Sequence, residues 1–525
     1  MKLVDGIGSL AQLPYVVGRA HGNKPAVIVD DVKLTYAELE QQSTQVAHAL
    51  TAAGVLPGER VAVLGKGSLA SVVLMFGAAK VRAIYVPISS RLAPKEIAYI
   101  ANHAEPKVLL VEPEFLEQLP RVAEEGGALP GIVLATDANN SGVETLGEWA
   151  RGRSVSWPPQ TYDYDDVVVT LYTSGTTGHP KGVRLSTRSL LGVAAALRAA
   201  NDPWFGWDDR FVSMVSQPPF HIGGVWWLLQ GLAQGSTNVL LRGFDPRQVL
   251  RIIPQYRVAT TCMAPAMIQL LLLQRECRQV DFSSLSTIAY GGSTCPTALL
   301  REAMEVFKCG FCNAYGMTET GNVVVSLRPA QHAGADDARL RAVGKPLPGV
   351  DVRVLDEHGR EVGPGVTGQI AVRSPSNMVD YWKQPEASRT TLVDGWLMTG
   401  DAGFRDAEGF LYVSDRIRDM IICAGEKVFP AEVENAIRTH PGVADVAVIG
   451  VPDPLWGEAV KALVVAAEGA TLRASDIIRH VRGHIAEFKM PRSVEFVASL
   501  PRNPAGKILK RQLREPYWGK EERRI

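Results

Sequence analysis

The sequence predicts an α/β protein: a large amino-terminal domain of layered α/β units that runs into a β-barrel-like segment, then a small mobile α+β carboxy-terminal domain. Three observations carry this. Short Val/Ile/Leu runs alternate with longer helical patterns from Lys24 to Val111, glycines begin to punctuate short strands at Gly344, and the texture changes again after Asp415. At 525 residues the chain exceeds the usual reach of one hydrophobic core. We therefore expect a first domain over 1–416 and a second over 417–525.

The elements follow in order. Runs at 61–64, 83–86 and 108–111 read as strands, with helices expected at 68–79 and 94–102, and that βαβαβ order implies parallel strands. A further strand is expected over 165–172, and a helix over 298–306. Strands are expected at 350–355 and 369–372. The last region reads as helix 430–439, strands 444–451 and 460–466, helix 474–486 and strand 494–497.

Composition narrows the function. Apolar residues make up 46% and charged residues 21%, with 55 basic and 55 acidic side chains and a formal net charge of +0. No global field then favours nucleic acid or an anionic membrane, and a small-molecule enzyme fits better. The start of the chain has no apolar leader after a basic residue, and no apolar run is long enough to span a bilayer, so a cytoplasmic protein is expected. The six cysteines are too scattered for a disulfide framework; the lone pair Cys309 and Cys312 has no partner pair, and buried free thiols are expected.

The most informative stretch is Tyr172-Thr-Ser-Gly-Thr-Thr-Gly-His-Pro-Lys181-Gly-Val, which begins where the 165–172 strand ends. Gly175 and Gly178 permit tight turns that aim backbone N–H groups at an anion, Thr173, Ser174, Thr176 and Thr177 add hydroxyls, and Lys181 adds charge. This suits a polyphosphate. It is not a Walker A loop, because Lys181 lies between Pro180 and Gly182. Loops at the carboxyl ends of strands are the expected place for a ligand in such a sheet. Further along, Asn313-Ala-Tyr-Gly-Met-Thr-Glu-Thr320 offers a ring at Tyr315 for a base, a hydroxyl at Thr318 for phosphate and a carboxylate at Glu319 for a hard cation. Asp401 follows a Thr-Gly turn, Arg416 and Arg418 stand at the domain junction, and Lys507 ends a Pro/Gly loop.

In this order these motifs resemble the acyl-adenylate-forming superfamily of acyl-CoA ligases, luciferases and peptide-synthetase adenylation domains, over nearly the whole chain from Lys24 to Arg514. The resemblance implies that Thr173 to Lys181 hold the phosphates of ATP, with Gly292, Ser293, Asn313, Ala314, Tyr315, Gly316, Met317 and Thr318 around the nucleotide. It implies that Asp401 and Arg416 hold the ribose, that Glu319 and Thr173 bind Mg²⁺, and that Lys507 bridges the acid and the α-phosphate. Thr318, Glu319, Arg416, Lys507 and His221 are the expected catalytic set. Arg418 takes the place of the hinge, and Ala424, Gly425 and Glu426 that of the loop met by the pantetheine arm of CoA. The pattern is departed from at Arg418, Asp415, Lys427 and Gln369, none of which touches the ATP motifs.

Pro218-Pro-Phe-His-Ile-Gly-Gly224 resembles the acid-pocket motif, with His221 where amino-acid-activating relatives carry an aspartate. A buried amine without a counter-charge is costly, so an amino acid substrate is not expected. By position the pocket is lined by His221, Gly223, Gly224, Trp226, Trp227, Met263, Met267, Gly291 and Met317, although core packing explains the Trp and Met residues equally well. The glycines, Gly292 included, are expected to leave room for a fatty or other bulky apolar acid. The short stretch after Lys507 leaves no space for a carrier domain, so a free-standing enzyme using ATP, Mg²⁺ and CoA is the first expectation, with a homodimer left open. A stand-alone enzyme loading a carrier protein, a luciferase-like oxygenase and a catalytically silent nucleotide-binding regulator are the alternatives.

Overall fold

The computed structural model describes residues 7–137, 142–173, 180–202, 204, 207–416, 419–423, 426–453, 457–482, 485, 487–502 and 508–518. The chain divides into two compact units: Met1–Asp351 with Val372–Leu397, and Val352–Ala371 with Met398–Ile525.

The first unit holds two sheets. Seven strands run in the order Asp380–Tyr381, Lys181–Ser186, Val167–Thr173, Ile84–Ser89, Arg60–Gly65, Pro106–Val111 and Ile132–Ala135. From Val167–Thr173 onward every neighbour is parallel, while Lys181–Ser186 and Asp380–Tyr381 add on antiparallel. The expected βαβαβ order is present, with helices Leu69–Lys80 and Pro94–Ala104 as crossovers. Each begins where its sequence allows: Ser68 caps the first by accepting from Ser71 N–H, and Pro94 opens the second, where a missing N–H costs nothing.

Nine strands form the other sheet, in the order Lys345–Pro346, Asn322–Ser326, Gly310–Met317, Thr287–Gly291, Thr260–Met263, Val212–Val215, Thr237–Leu240, Pro25–Val29 and Val32–Thr35. Its central strands are parallel. Helix Thr297–Phe307, close to the expected span, packs Leu300, Ala303 and Phe307 onto it with Ile288 and Phe311.

One carboxylate ties these two sheets together. Glu112, 1% exposed, follows strand Pro106–Val111 and accepts from Gly67 N–H at 2.7 Å, just past strand Arg60–Gly65. Its other oxygen takes a hydrogen bond from Arg242 at 2.9 Å, beyond strand Thr237–Leu240 of the nine-stranded sheet. Gly65 leaves space for it, since a Cβ there would lie 2.5 Å from the Glu112 carboxyl carbon.

Strands Asp351–Leu355, Gly368–Arg373, Trp396–Arg405 and Leu411–Arg416, most of whose residues lie in the second unit, form a five-stranded sheet with Leu392–Val393 of the first. The last sheet joins Glu426–Val428, Ile421–Cys423, Gly457–Ala466 and Val443–Asp453, with Ser493–Phe496 parallel to Gly457–Ala466. Its core gathers Val433, Ile437, Val446, Val448, Val460 and Ile477. Helix Ala474–Val481 is shorter than expected: Arg482 is extended (φ −62°, ψ 128°), and the next residue is glycine, a poor helix former. Residue 416, the expected end of the first domain, lies inside this unit.

Removing one partner of a buried ion pair strands the other charge. Glu112→Ala is expected to cost about 3 kcal/mol, the low end for such a loss because Arg242 is partly exposed, and Glu112→Gln less because it keeps an acceptor for Gly67. Urea and thermal unfolding of the two variants would check the order.

Candidate active site

Of the predicted site residues of the first unit, Thr173, Met263 and Gly291 stand at the carboxyl ends of parallel strands. Lys181 and Thr173 are directly paired across the antiparallel join of Val167–Thr173 and Lys181–Ser186, so the ends of the phosphate loop are fixed side by side. Residues Ser174, Gly175, Thr176, Thr177 and Gly178 lie outside the described residues. Gly182 stands close to Tyr172 and Trp382, where a Cβ would come within 3.4 Å of both side chains.

In the nine-stranded sheet, Gly291 ends one strand opposite Ala314, and Met263 ends the next opposite Tyr290. Asn313 donates its backbone N–H to Leu327 and accepts from Ser326 Oγ at 2.8 Å. Tyr315 is partly buried opposite Val325, and Gly316 and Met317 continue the same strand. The chain then closes in a single 3-10 turn, Thr318–Thr320. Thr320 Oγ is wedged between the Met317 and Asn322 backbones, and Gly321, at φ 67°, completes the reversal. Only glycine fits there, because a Cβ would lie 2.1 Å from Ser189 O and 2.3 Å from Ser376 O.

That turn presents Glu319, a 7% exposed carboxylate. Tyr381 donates its hydroxyl to Glu319 Oε1 at 2.8 Å, and Met378 N–H binds the Glu319 carbonyl at 2.7 Å. Lys181 Nζ stands 4.8 Å from the centre of the same Tyr381 ring. Tyr381 was missed in the sequence; its only signal is a tyrosine in a stretch with no strand-length pattern, since the strand it forms is two residues long.

His221 caps helix Ile222–Ala233 at the end of a turn that leaves strand Val212–Val215. Its Nε2 is buried with no hydrogen-bond partner among the described residues. Burial, helped by the charge of Arg91, pushes its pKa down to about 4, so the ring is neutral at pH 7. The lining splits. Trp227 is fixed in the core, donating Nε1 to Ser213 Oγ at 2.9 Å, and Trp226 packs edge-on against Trp204. Met263 is fully buried and Met267 partly buried in the cluster that also holds Ile268, Ile288 and Tyr290.

The glycines need correcting. A Cβ on Gly223 would meet Gln217 Oε1 at 2.0 Å, on Gly224 Pro218 O at 2.2 Å, and on Gly291 Ala314 O at 2.2 Å. Backbone packs against Gly224 and Gly291, so these two do not open space for an acid, whereas the neighbour of Gly223 is the end of the Gln217 side chain, which can turn aside. Gly292 differs: at φ 81° it has nothing among the described residues within 4 Å of where a Cβ would be, and Ser293 beside it is exposed.

The second unit brings two further residues together. Asp401 and Arg416 are cross-strand partners on Trp396–Arg405 and Leu411–Arg416. Asp401 is buried, and its N–H is held by Thr399 Oγ, which itself donates to Ile370 O at 2.7 Å. Cys423 pairs with Glu426 across a hairpin, while Ala424, Gly425, Arg418 and Lys507 lie outside the described residues. The Cys309 and Cys312 thiols are pushed up to about 12 and 11 by burial, as suits inert core cysteines.

The depressed pKa of His221 has a sign. The unfolded ring titrates near 6.5 and the folded ring near 4, so the unfolded chain binds the extra proton first. The stability tied to neutral His221 is complete above pH 6.5 and is lost as pH falls toward 4. The difference in unfolding free energy between wild type and His221→Asn should therefore be flat above pH 7 and shrink between pH 6.5 and 4, as urea titrations across that range would show.

Known proteins match the chain over nearly its whole length. A family model described as AMP-binding enzyme matches residues 16–382, and one described as AMP-binding enzyme C-terminal domain matches residues 432–507. The chain is 41% identical over 503 residues to the fatty acid–[acyl-carrier-protein] ligase ScoC of Streptomyces coeruleorubidus, with 95% of each chain covered. It is 35% identical over 515 residues to feruloyl-CoA synthase of an Amycolatopsis species, covering 98% of this chain and 99% of that one. Among solved structures, the anthranilate CoA ligase AuaEII in complex with anthranoyl-AMP matches with a TM-score of 0.88 at 28% identity, over 98% of this chain and 99% of that one. The chain thus belongs to the AMP-binding enzyme family, in the acyl-CoA ligase branch of the acyl-adenylate-forming superfamily, and is an AMP-forming acid–thiol ligase.

Proposed function

We propose that the chain activates a fatty or other bulky apolar carboxylic acid as its acyl-adenylate and passes the acyl group to the thiol of CoA. The observation that carries the choice of acid is the neutral His221 at the head of its helix, whose buried Nε2 has no hydrogen-bond partner among the described residues. The burial and the Arg91 charge that keep a proton off this ring would also disfavour a substrate ammonium, whereas they tolerate a carboxylate with an apolar body.

In the first half-reaction a carboxylate oxygen attacks the α-phosphorus of ATP, the bond to the β-phosphate oxygen breaks, and pyrophosphate departs. Most of the barrier lowering in such a step is positioning and charge neutralisation. Residues Thr173 to Lys181 would hold the phosphates, Tyr315 would stack on the base and Thr318 would meet the α-phosphate, with Gly292, Ser293 and Asn313 to Met317 around them. Asp401 and Arg416, already opposite each other, would hold the ribose. Lys507 would neutralise the charge that builds where acid and α-phosphate meet. Glu319, a buried hard-oxygen donor held in one orientation by Tyr381, suits Mg²⁺, with Thr173 as a second ligand. When bound there, Mg²⁺ would offset phosphate charge.

In the second half-reaction the thiol sulfur attacks the acyl carbonyl, AMP leaves with the electrons of the broken anhydride bond, and the thiol proton passes to solvent or phosphate. Residues 417–525 would form the part that moves between the halves about Arg418, bringing Ala424, Gly425 and Glu426 toward the pantetheine arm. Among the described residues no helix is long and apolar enough to cross a membrane, and with ATP and CoA as co-substrates we assign the enzyme to the cytoplasm.

A second reading concerns the acceptor. The 41% identity to a fatty acid–[acyl-carrier-protein] ligase exceeds the 35% to a feruloyl-CoA synthase, which favours a carrier-protein thiol. Both acceptors present the same phosphopantetheine end, so a direct comparison separates them. Pyrophosphate release should be followed across fatty, arylalkanoic and polycyclic acids with CoA or a holo-carrier protein, and products read by mass spectrometry. Acyl-CoA with AMP supports the proposal, acyl-carrier product alone supports the second reading, and no turnover with any acid counts against both. Lys507→Ala is expected to slow acid-dependent pyrophosphate release by roughly 10²–10³-fold while leaving thioester formation from supplied acyl-adenylate little changed. Equal loss of both steps would remove Lys507 from the first.

A further inference from the structure

We propose that Tyr381 is a positioning residue that keeps Glu319 and Lys181 apart and correctly aimed, so that one remains available to the divalent cation and the other to the phosphates; this rests on the roles proposed above for those two residues. The geometry is specific. The phenol hydroxyl donates to Glu319 Oε1 at 2.8 Å, while Lys181 Nζ stands 4.8 Å from the ring centre. One rigid ring thus touches the acidic group at its rim and the cationic group at its face. Both contacts are attractive: a charge-assisted hydrogen bond to the carboxylate and a cation–π contact with the ammonium.

Without such a spacer, a buried carboxylate and a nearby ammonium would gain most by closing on each other as an ion pair, and that pair would blunt both groups toward ligand. Tyr381 gives each a partner that leaves its formal charge in place. Tyr381 is itself 6% exposed and clamped on every side. Its N–H binds Ser388 Oγ at 2.9 Å, the next N–H, of Trp382, binds Gly182 O at 2.8 Å, and Tyr381 is in register with Val183. Arg184 donates from Nε and Nη2 to the two carboxylate oxygens of Asp380, the Nε contact at 2.5 Å, which pins the two-residue strand to the strand that carries Lys181. The opposite wall is equally fixed, because Met378 N–H holds the Glu319 carbonyl three residues earlier in the same segment.

Purely structural packing predicts something different from positioning, and Tyr381→Phe separates them. Phenylalanine keeps the ring face for Lys181 and nearly all the packing volume but removes the donor to Glu319. ATP binding to the full-length protein should be measured by calorimetry with and without Mg²⁺, and the Mg²⁺ dependence of acid-driven pyrophosphate release alongside it. In Tyr381→Phe the Mg²⁺ concentration for half-effect is expected to rise about tenfold in both measurements, as loss of one charged hydrogen bond implies, while affinity for ATP without Mg²⁺ stays within about twofold. In a Glu319→Gln background the same change should have little further effect, since the group it positions is gone.

An unchanged Mg²⁺ dependence in Tyr381→Phe, with wild type showing a clear one, overturns the proposal. So does an equal tenfold loss with and without Mg²⁺, which would mark a general packing defect. If wild type binds ATP with no Mg²⁺ dependence at all, the assignment of Glu319 fails first and the role of Tyr381 falls with it. Tyr381→Leu, which loses both contacts, is expected to weaken ATP binding without Mg²⁺ as well; weakening by Leu but not by Phe would place the ring face, through Lys181, on the phosphate side.

Discussion

A buried carboxylate sets the frame of the first unit. Glu112 stands at the carboxyl edge of the seven-stranded sheet and holds Arg242 at the carboxyl edge of the nine-stranded one, while its other oxygen fixes Gly67. Gly67, at φ 123°, lies against Pro219, where a Cβ would come within 2.7 Å of the proline ring. Pro219 belongs to the turn that ends in His221, and Pro218 O accepts from His221 N–H at 3.0 Å. One charge pair thereby couples the edges of two sheets to the turn that heads the acid-pocket helix. Placing charge inside is expensive unless it is paired and hydrogen-bonded, and here both conditions are met.

On that frame the reactive groups need little apparatus of their own. Parallel strands all end on one side, so the loops that follow them converge without long excursions. Lys181 and Thr173 meet because their strands pair in register, Gly291 and Ala314 because theirs do, and Glu319 is delivered by a three-residue turn that glycine alone can close. The same logic recurs in the second unit, where register alone sets Asp401 opposite Arg416. Side-chain contacts then refine the placement: Tyr381 orients Glu319, and Thr399 braces the backbone of Asp401.

Charge state matters as much as position. His221 is neutral because water is excluded from it, and the surrounding charge, from Arg91, is positive. If His221 heads the acid pocket as proposed, it discriminates by what it refuses to solvate, which is a weaker filter on the apolar body of an acid than on its charged substituents. It accords with a family in which relatives of similar identity are named for fatty and for aromatic acids.

The alternation of strands and helices and membership of the AMP-binding enzyme family were legible in the sequence, which also named the groups proposed for the nucleotide. These are local properties: hydrophobic period, capping residues such as Ser68 and Pro94, and chemistry carried within a few residues. The tertiary structure decided what local patterns cannot encode. Helix Ala474–Val481 stopped short because one extended residue ended it, and the two-residue strand bearing Tyr381 had no period to detect. Gly224 and Gly291 had suggested empty space, yet the backbones of Pro218 and Ala314 press against them. Whether a missing Cβ makes room for a ligand or for the protein's own backbone depends on what lies across the gap, and only the folded chain brings that neighbour into place.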